Sequence, residues 1–325
     1  MNGKGNRVAN VKPKPPGPEG FPLPGDFDGP PAADLTGCID LHMHSVNSDG
    51  FFEPEFLVRW AKHLKLRAIS LTDHDTMRGV RRAMDEGKRL GVEVIPGCEI
   101  SVAYSGGTFH LLAYGVPPEH AEFTNRLDEI ANNRHKRNKK IVASLAEHGM
   151  PVTYEEIREE AGEGVVGRPH IARVLIKHGY VSDNKEAFDK WLGEGRPCYF
   201  EKETFGPREA IEHVRRCGGV PVMAHPFWLN RLNLSDLESY LAELKGFGLM
   251  GVECVYSDHA PNFRAQSAEI ATRLGLIVTG GADFHGGATK PEVTLGHGAG
   301  GGFKVPGDLL DGLKLAIAQS QRLGG

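Results

Sequence analysis

Several absences narrow what this 325-residue chain can be. No segment approaches the roughly 20 consecutive apolar residues of a membrane span, and the N-terminal stretch lacks the apolar core of a signal peptide, so no membrane crossing is expected. The five cysteines, Cys38, Cys98, Cys198, Cys217 and Cys254, form no Cys-x-x-Cys pair. An odd, scattered set in a chain this long does not make a disulfide framework, and the expected compartment is reducing and cytoplasmic. Charge of one sign is also missing: 38 basic against 42 acidic residues leave −4. That excludes a general attraction to nucleic acid or an anionic surface, so any phosphate recognition must be local. There is no internal repeat. Residues 296–302 (GHGAGGG) lack the Lys-Ser/Thr ending of a phosphate loop and read as a flexible loop.

What is present is a hydrophobic content of 40%, enough to bury the core of one large α/β domain plus a smaller insert. Residues 1–35 are Pro/Gly-rich and read as a disordered tail. From Cys38 onward, seven apolar runs (CIDLHMH, RAISLTDH, VEVIPGCEI, TFHLLAYG, GVPVMAHP, GVECVYS, LIVTGGADFH) read as strands. Between them, Glu55 to Leu64, Gly79 to Leu90, Pro207 to Cys217, Ser235 to Phe247, His259 to Leu274 and Asp308 to Ser320 carry apolar residues at helical spacing. Alternation of this kind favours a mainly parallel sheet, and seven units favour a barrel. Residues 117–203 break the rhythm: polar, charged and helical in pattern, they read as an inserted helical subdomain within a barrel formed by 36–116 and 204–325. Its basic run NNRHKRNKK and its GRPHIARVLIKHGY segment read first as solvated helix surface.

The chemistry-bearing residues recur at strand ends. Alternation in CIDLHMH puts Ile39, Leu41 and Met43 on one face, and Asp40, His42 and His44 on the other. Asp49 follows in SVNSDG, His74 ends LTDHDT, Glu99 ends PGCEIS, and His110 opens the fourth strand. His225 follows an apolar run in VMAHPF, and Asp283 and His285 close VTGGADFHG. A lone histidine after a strand is more often a satisfied core or capping residue. Nine such residues are another matter, because strand ends of parallel α/β folds converge on the ligand crevice. So many titratable groups packed together need cations, and mixed imidazole and carboxylate ligation favours Zn, Mn or Fe. His63, His120, His148, His178, His213 and His297 lack such company and are assigned to the surface.

The order HxH, SDG, TDH, GxE, H, AHP, DFH resembles the PHP (polymerase and histidinol phosphatase) family over essentially everything from Ile39 to Leu323. The segments GRPHIARVL and AFDKWLGEGRPCYF are similar to the family's small-molecule phosphatase and oligonucleotidase branch. The resemblance implies a distorted seven-stranded TIM-like β/α barrel, a helical lid and three divalent metals. It assigns one metal to His42, His44, Glu99 and Asp283, a second to a bridging Glu99 with His110 and His225, and a third to Asp49, His74 and His285. Within that set Asp49, His74, Glu99 and His225 are expected to be catalytic. Ala282 stands where the family pattern leads one to expect serine.

The mechanism that fits is attack on phosphorus by a metal-bound hydroxide. Arg168, one of Arg134 or Arg137, and His259 are the candidates to hold a substrate phosphate, with arginine suited to bidentate contact. The expected substrates are nucleoside 3′,5′-bisphosphates or short RNA 5′ ends, with no stable protein partner. Two alternatives stand beside this reading: a phosphatase or cyclic phosphodiesterase acting on a sugar phosphate, and a metal-binding regulatory module without turnover.

Overall fold

The computed structural model describes residues 35–161, 166–201, 204–230, 233–286, 290, 292–300 and 302–323. The Pro/Gly-rich stretch read as a disordered tail falls outside them, apart from Leu35. Seven strands form one sheet in chain order: β1 (Ile39–Asp40), β2 (Ala68–Leu71), β3 (Glu93–Val102), β4 (Phe109–Tyr114), β5 (Val220–Met223), β6 (Gly251–Tyr256) and β7 (Ile277–Gly281). Beyond these bounds the first and last strands meet, the N–H of Leu41 donating to Gly280 O at 3.1 Å and that of His44 to Phe284 O at 2.8 Å. The sheet thereby curls into a nearly closed, distorted TIM-like barrel.

Pairing is parallel except where β4 runs antiparallel to both neighbours, with Ser101 opposite His110 and Leu111 opposite Met223. Antiparallel direction follows from the short hairpin before β4, since a parallel return needs a crossover of a dozen residues or more. The reversal has a functional consequence. His110 lies at the start of its strand, and only a reversed strand brings that start to the barrel end where the other strands finish.

The outer helices match the expected periodicity within three residues at either end: α1 (Pro54–His63), α2 (Val80–Leu90) and, after the insert, α7 (Pro207–Arg216), α8 (Leu234–Gly246), α9 (Pro261–Arg273) and α10 (Leu309–Leu323). α1 shows the local logic. Proline occupies its first position, where no N–H is needed, Phe56, Leu57 and Trp60 share the buried face, and Lys62 and His63 meet the negative end of the helix dipole. Under β1, Phe52 stacks on Phe56 at 4.8 Å, and Trp60 meets Phe284 edge-on at 5.2 Å. Each such aromatic pair is worth about 0.5–1.5 kcal/mol beyond its buried area.

Between β4 and β5 the described residues contain no strand. They form α3 (Ala121–Glu147), α4 (Tyr154–Ala161), α5 (Arg168–Lys177), α6 (Asn184–Ala187) and a π-turn, Phe188–Leu192. Ile141, Leu145, Ile157, Ile171, Leu175 and Leu192 bury a core of their own there. Residues 296–302 are not simply a loop: Gly298–Ala299 (β9) pairs with Val293–Thr294 (β8), while Gly301 lies outside the described residues. No described helix is long and apolar enough to cross a membrane.

Candidate metal centre

The alternation in Leu41-His42-Met43-His44 turns the apolar pair into the core and both imidazoles into the barrel mouth, all four fully buried. Two glycines make the placement possible. A Cβ on Gly281 would stand 2.3 Å from His42 Cβ, so only glycine lets β7 close against this segment. A Cβ on Gly50 would stand 2.2 Å from His44 O, so the turn that carries Asp49 beneath His44 needs glycine too.

All nine strand-end residues converge. Around one point lie His42 Nε2, His44 Nε2, Glu99 Oε2 and Asp283 Oδ1, with nitrogen-to-oxygen separations of 3.2 Å from both histidines to Glu99 and 3.4 and 3.1 Å to Asp283. The other oxygen of Glu99 faces His110 Nδ1 at 2.7 Å and His225 Nε2 at 3.0 Å, and those nitrogens are 3.3 Å apart. A third group joins Asp49 to His285 Nε2 at 3.4 Å, His74 Nε2 at 3.8 Å and His44 Nδ1 at 3.6 Å. His74 also presents Nδ1 to Glu99 Oε2 at 3.2 Å, so Glu99 stands at the centre of the whole array.

Supporting residues fix which nitrogen of each ring is free. Glu253 Oε1 accepts from His42 Nδ1–H at 2.9 Å, and its Oε2 accepts the His225 N–H at 2.9 Å. A carboxylate only accepts, so His42 Nδ1 carries the proton and Nε2 keeps its lone pair for the cluster. His285 donates Nδ1–H to Asp283 O at 2.9 Å, with the same effect. Asp73 accepts from Ser45 N, Ser45 Oγ and Ser48 Oγ, each at 2.7 Å, and so pins the loop between His44 and Asp49. Tyr256 donates to Asp283 Oδ2 at 2.9 Å and Lys290 donates to the same oxygen, leaving Oδ1 for the cluster. Asp40 accepts N–H groups from His42, Ala282 and Gly296, tying three segments together. Ala282 thus contributes through its main chain, and its side chain packs in the core. Glu253, Tyr256 and Lys290 escaped the sequence reading, and Asp73, beside His74 at the end of the same strand, has no role in it. The one local signal was a carboxylate in the otherwise apolar run GVECVYS.

The electrostatics are those of an array built for cations. Burial pushes the Glu99 carboxyl up, yet the imidazoles of His74, His110 and His42 hold it well below the usual range. Burial lowers His44, but Asp283, Glu99 and Asp49 raise it to about 10. His74, where burial prevails, falls to about 4. His42 Nε2, His44 Nε2, His74 Nδ1, Glu99 Oε2 and Asp283 Oδ1 are all buried without a hydrogen bond. Unsatisfied buried polar atoms are costly. Five sharing one pocket fit divalent metals with mixed nitrogen and oxygen ligation. The backbone is strained at the same place: His225, Asp283 and Asp75 have φ of +26°, +55° and +52°, at about 1–3 kcal/mol each.

Beside the array opens a cavity of about 330 Å³ lined by Asp49, His74 and His110 on one side and Arg134, Arg137 and Arg168 on another. The first turn of α5 adds Gly167, Pro169 and His170, a helix start whose dipole favours anions. Contrary to the reading of this run as solvated surface, Arg134 and Arg137 are buried, while Lys136, Lys139 and Lys140 face solvent. Arg134 pairs with Asp75, whose oxygens also accept from Ser101. Burial, then the charges of Arg168 and Arg134, lowers Arg137 to about 10. Arg168 donates to Leu192 O at 3.0 Å and lies over the rings of Tyr199 and Phe188. His259 does not line this cavity; it is buried, donating Nδ1–H to Cys254 O at 3.1 Å. The histidines assigned to the surface without partners are not without them: His120 accepts the N–H of Phe123 at 3.3 Å, His148 donates to Ser144 O at 2.8 Å and His297 to Leu295 O at 3.1 Å. His213 is buried between the rings of Phe123 and Phe205, and His178 pairs with Glu156 at 2.9 Å.

Comparison with known proteins agrees with this geometry. The PHP domain model matches residues 40–191. A 5′-3′ exoribonuclease of Haemophilus influenzae is 32% identical over 77% of this chain and 91% of its own. A 3′,5′-nucleoside bisphosphate phosphatase of Chromobacterium violaceum is 29% identical over 76% and 87% respectively. Among solved structures, one from Bifidobacterium adolescentis, described as that of a metal-dependent phosphoesterase, superposes with a TM-score of 0.69 at 28% identity. It covers 89% of this chain and 98% of that one.

Proposed function

The chain belongs to the PHP domain family, a hydrolase of phosphoric ester bonds, and from that premise we propose that it removes phosphate from nucleoside 3′,5′-bisphosphates or cleaves at short RNA 5′ ends. The observation that carries this reading is the shared cavity, where three arginines and a helix start face the array across about 330 Å³. A substrate with one phosphate needs only the array; the opposite wall is charged for a second. Bidentate guanidinium contacts suit phosphate oxygens, and burial strengthens them.

In this proposal three divalent ions, manganese, iron or zinc, occupy the array. His42, His44, Glu99 and Asp283 would hold one, Glu99, His110 and His225 the second, and Asp49, His74 and His285 the third. Bound there, the ions would lower the pKa of water toward neutrality and stabilise charge on the phosphoryl oxygens. The protein's own share is orientation. Glu253 and the Asp283 carbonyl hold protons on the outward nitrogens of His42 and His285, so their inward nitrogens remain donors to the ions. Asp49, His74, Glu99 and His225 would hold the ions on the side that faces the phosphoryl group, which is the catalytic role this reading gives them. Arg168 and Arg137 orient the distal phosphate, and Asp75 aims Arg134. Residues 117–203 act as a lid that closes the arginine wall over the barrel of 36–116 and 204–325. Five free cysteines, four of them buried, support a reducing, cytoplasmic setting.

The test is phosphate release by manganese-loaded protein from adenosine 3′,5′-bisphosphate, adenosine monophosphate, short RNA, a cyclic sugar phosphate and para-nitrophenyl phosphate, with His42→Ala as control. Preference for the bisphosphate or RNA, lost in the control, supports the proposal. Activity confined to the cyclic substrate refutes its substrate, and silence on the whole panel with metal bound refutes turnover.

A further inference from the structure

Among the described residues three large apolar side chains are exposed: Phe227 at 55%, Trp228 at 44% and Leu315 at 62%. Leu315 stands alone on α10, and a single exposed apolar residue is ordinary. The other two are consecutive, and they follow His225 and Pro226 in the 3-10 turn Pro226–Leu229 at the barrel mouth. The turn is anchored at both ends. His225 N–H donates to Glu253 at 2.9 Å, and Trp228 O accepts the N–H of Thr108 at 2.8 Å. Gly107 packs so closely that a Cβ there would stand 2.4 Å from Trp228 O. Phe227 is backed by Phe263, edge-on at 5.7 Å, and by His259 at 6.3 Å, and it meets Trp228 at 6.0 Å. Two aromatic rings are thus held toward solvent by a rigid support.

Neither ring lines the arginine cavity. His225 is the member of the array nearest to them in the chain, its ring stacked on His42 at 5.7 Å and tilted against Tyr256 at 5.3 Å. A phosphate over Glu99 would therefore have guanidinium charge on one flank and an uncharged aromatic pair on another. This matches the two chemistries of a nucleotide, anionic phosphates and a neutral planar base.

We propose that Phe227 and Trp228 form a stacking platform for the nucleobase of the substrate. The proposal rests on the nucleotide reading of the site and deepens it. The platform recognises the π-face that every base shares, so it selects nucleotides over sugar phosphates without selecting sequence.

The test compares adenosine 3′,5′-bisphosphate with base-free 1-deoxyribose 3,5-bisphosphate, using the wild type, F227A/W228A and F227Y/W228F. Stacking of one base on an aromatic side chain is worth on the order of ten-fold in affinity. Wild type is expected to favour the base-bearing substrate by about that factor in kcat/KM. The alanine pair should erase the ratio through KM, and the aromatic pair should retain it. Equal kcat/KM for both substrates in wild type, or a ratio that survives F227A/W228A, would overturn the platform while leaving the bisphosphate reading standing. Hydrolysis of neither would overturn both. A dimer in sedimentation that F227A/W228A dissolves, with the ratio intact, would overturn the proposal in favour of a second copy covering the patch.

Discussion

Glu253 and His42, 211 positions apart in the chain, are joined by a buried hydrogen bond of 2.9 Å that sets the histidine's tautomer. The second oxygen of Glu253 takes the main-chain N–H of His225, so one carboxylate positions two residues of the array. Glu253→Gln keeps an acceptor for one of these donors and turns an amide N–H against the other. Losing such a supporting partner typically lowers metal affinity about 10–100-fold. The variant should stay folded and take up manganese more weakly by calorimetric titration; unchanged affinity and stoichiometry would show that the contact does not orient the ligands.

Gly281 is the second pressure point. Its missing Cβ leaves room for His42 where β7 closes on the first strand. Gly281→Ala must push these segments apart, and overpacking of this kind costs about 1–3 kcal/mol. Loss of activity should exceed what that destabilisation explains, because the displaced residue is itself a candidate ligand. Denaturant melts and metal content by elemental analysis would check this: a variant with full metal content and wild-type turnover would refute it.

On the proposed reading, Arg168 offers a way to separate binding of the distal phosphate from chemistry. A lysine there keeps the charge but loses the planar fork held over Tyr199 and Phe188. Removing a charge-assisted contact costs about 1.5–3 kcal/mol, so Arg168→Lys should raise KM for adenosine 3′,5′-bisphosphate by roughly ten-fold or more. Para-nitrophenyl phosphate, with no second phosphate, should be affected far less. Equal losses on both substrates would count against the arginine wall.

Much of this architecture could be read from residue order. Seven apolar runs became seven strands, because strand pattern and helix pattern alternate without ambiguity from Cys38 onward, and the polar ends of those runs became the array. The direction of β4 was missed although its signal was present: too few residues separate it from β3 for a crossover. Arg134 and Arg137 were misjudged because a basic run was weighed by composition. Their spacing from Ile130 and Ile141 places them on the buried face of α3. His213 was misjudged the same way, lying on the face of α7 shared by Ala210, Ile211 and Val214. The Lys290–Asp283 contact had no local signal, and the Tyr256–Asp283 contact follows only from the register that sets Tyr256 beside Gly281 on the neighbouring strand.

His259 yields a prediction about acid. It is buried among Tyr256, Phe227 and Phe263, and burial lowers its pKa from 6.5 to about 4. With Nδ1–H committed to Cys254 O, the folded state holds the neutral ring. Unfolding lets the ring take a proton below 6.5, so the unfolded state binds more protons in the window between about 4 and 6.5 and stability falls as pH drops through it. Above 6.5 the residue contributes no pH dependence, because the ring is neutral in both states. An asparagine side chain at this position would keep an N–H for Cys254 without a titrating group. The stability gap between wild type and His259→Asn should therefore shift by about 2–3 kcal/mol in favour of the variant on going from pH 7 to about pH 4.5. Urea melts of chelator-treated protein at the two pH values would measure it, with the ligand histidines common to both proteins and cancelling in the difference. A gap that stays constant with pH would mean that the buried ring accepts its proton as readily as a ring in water.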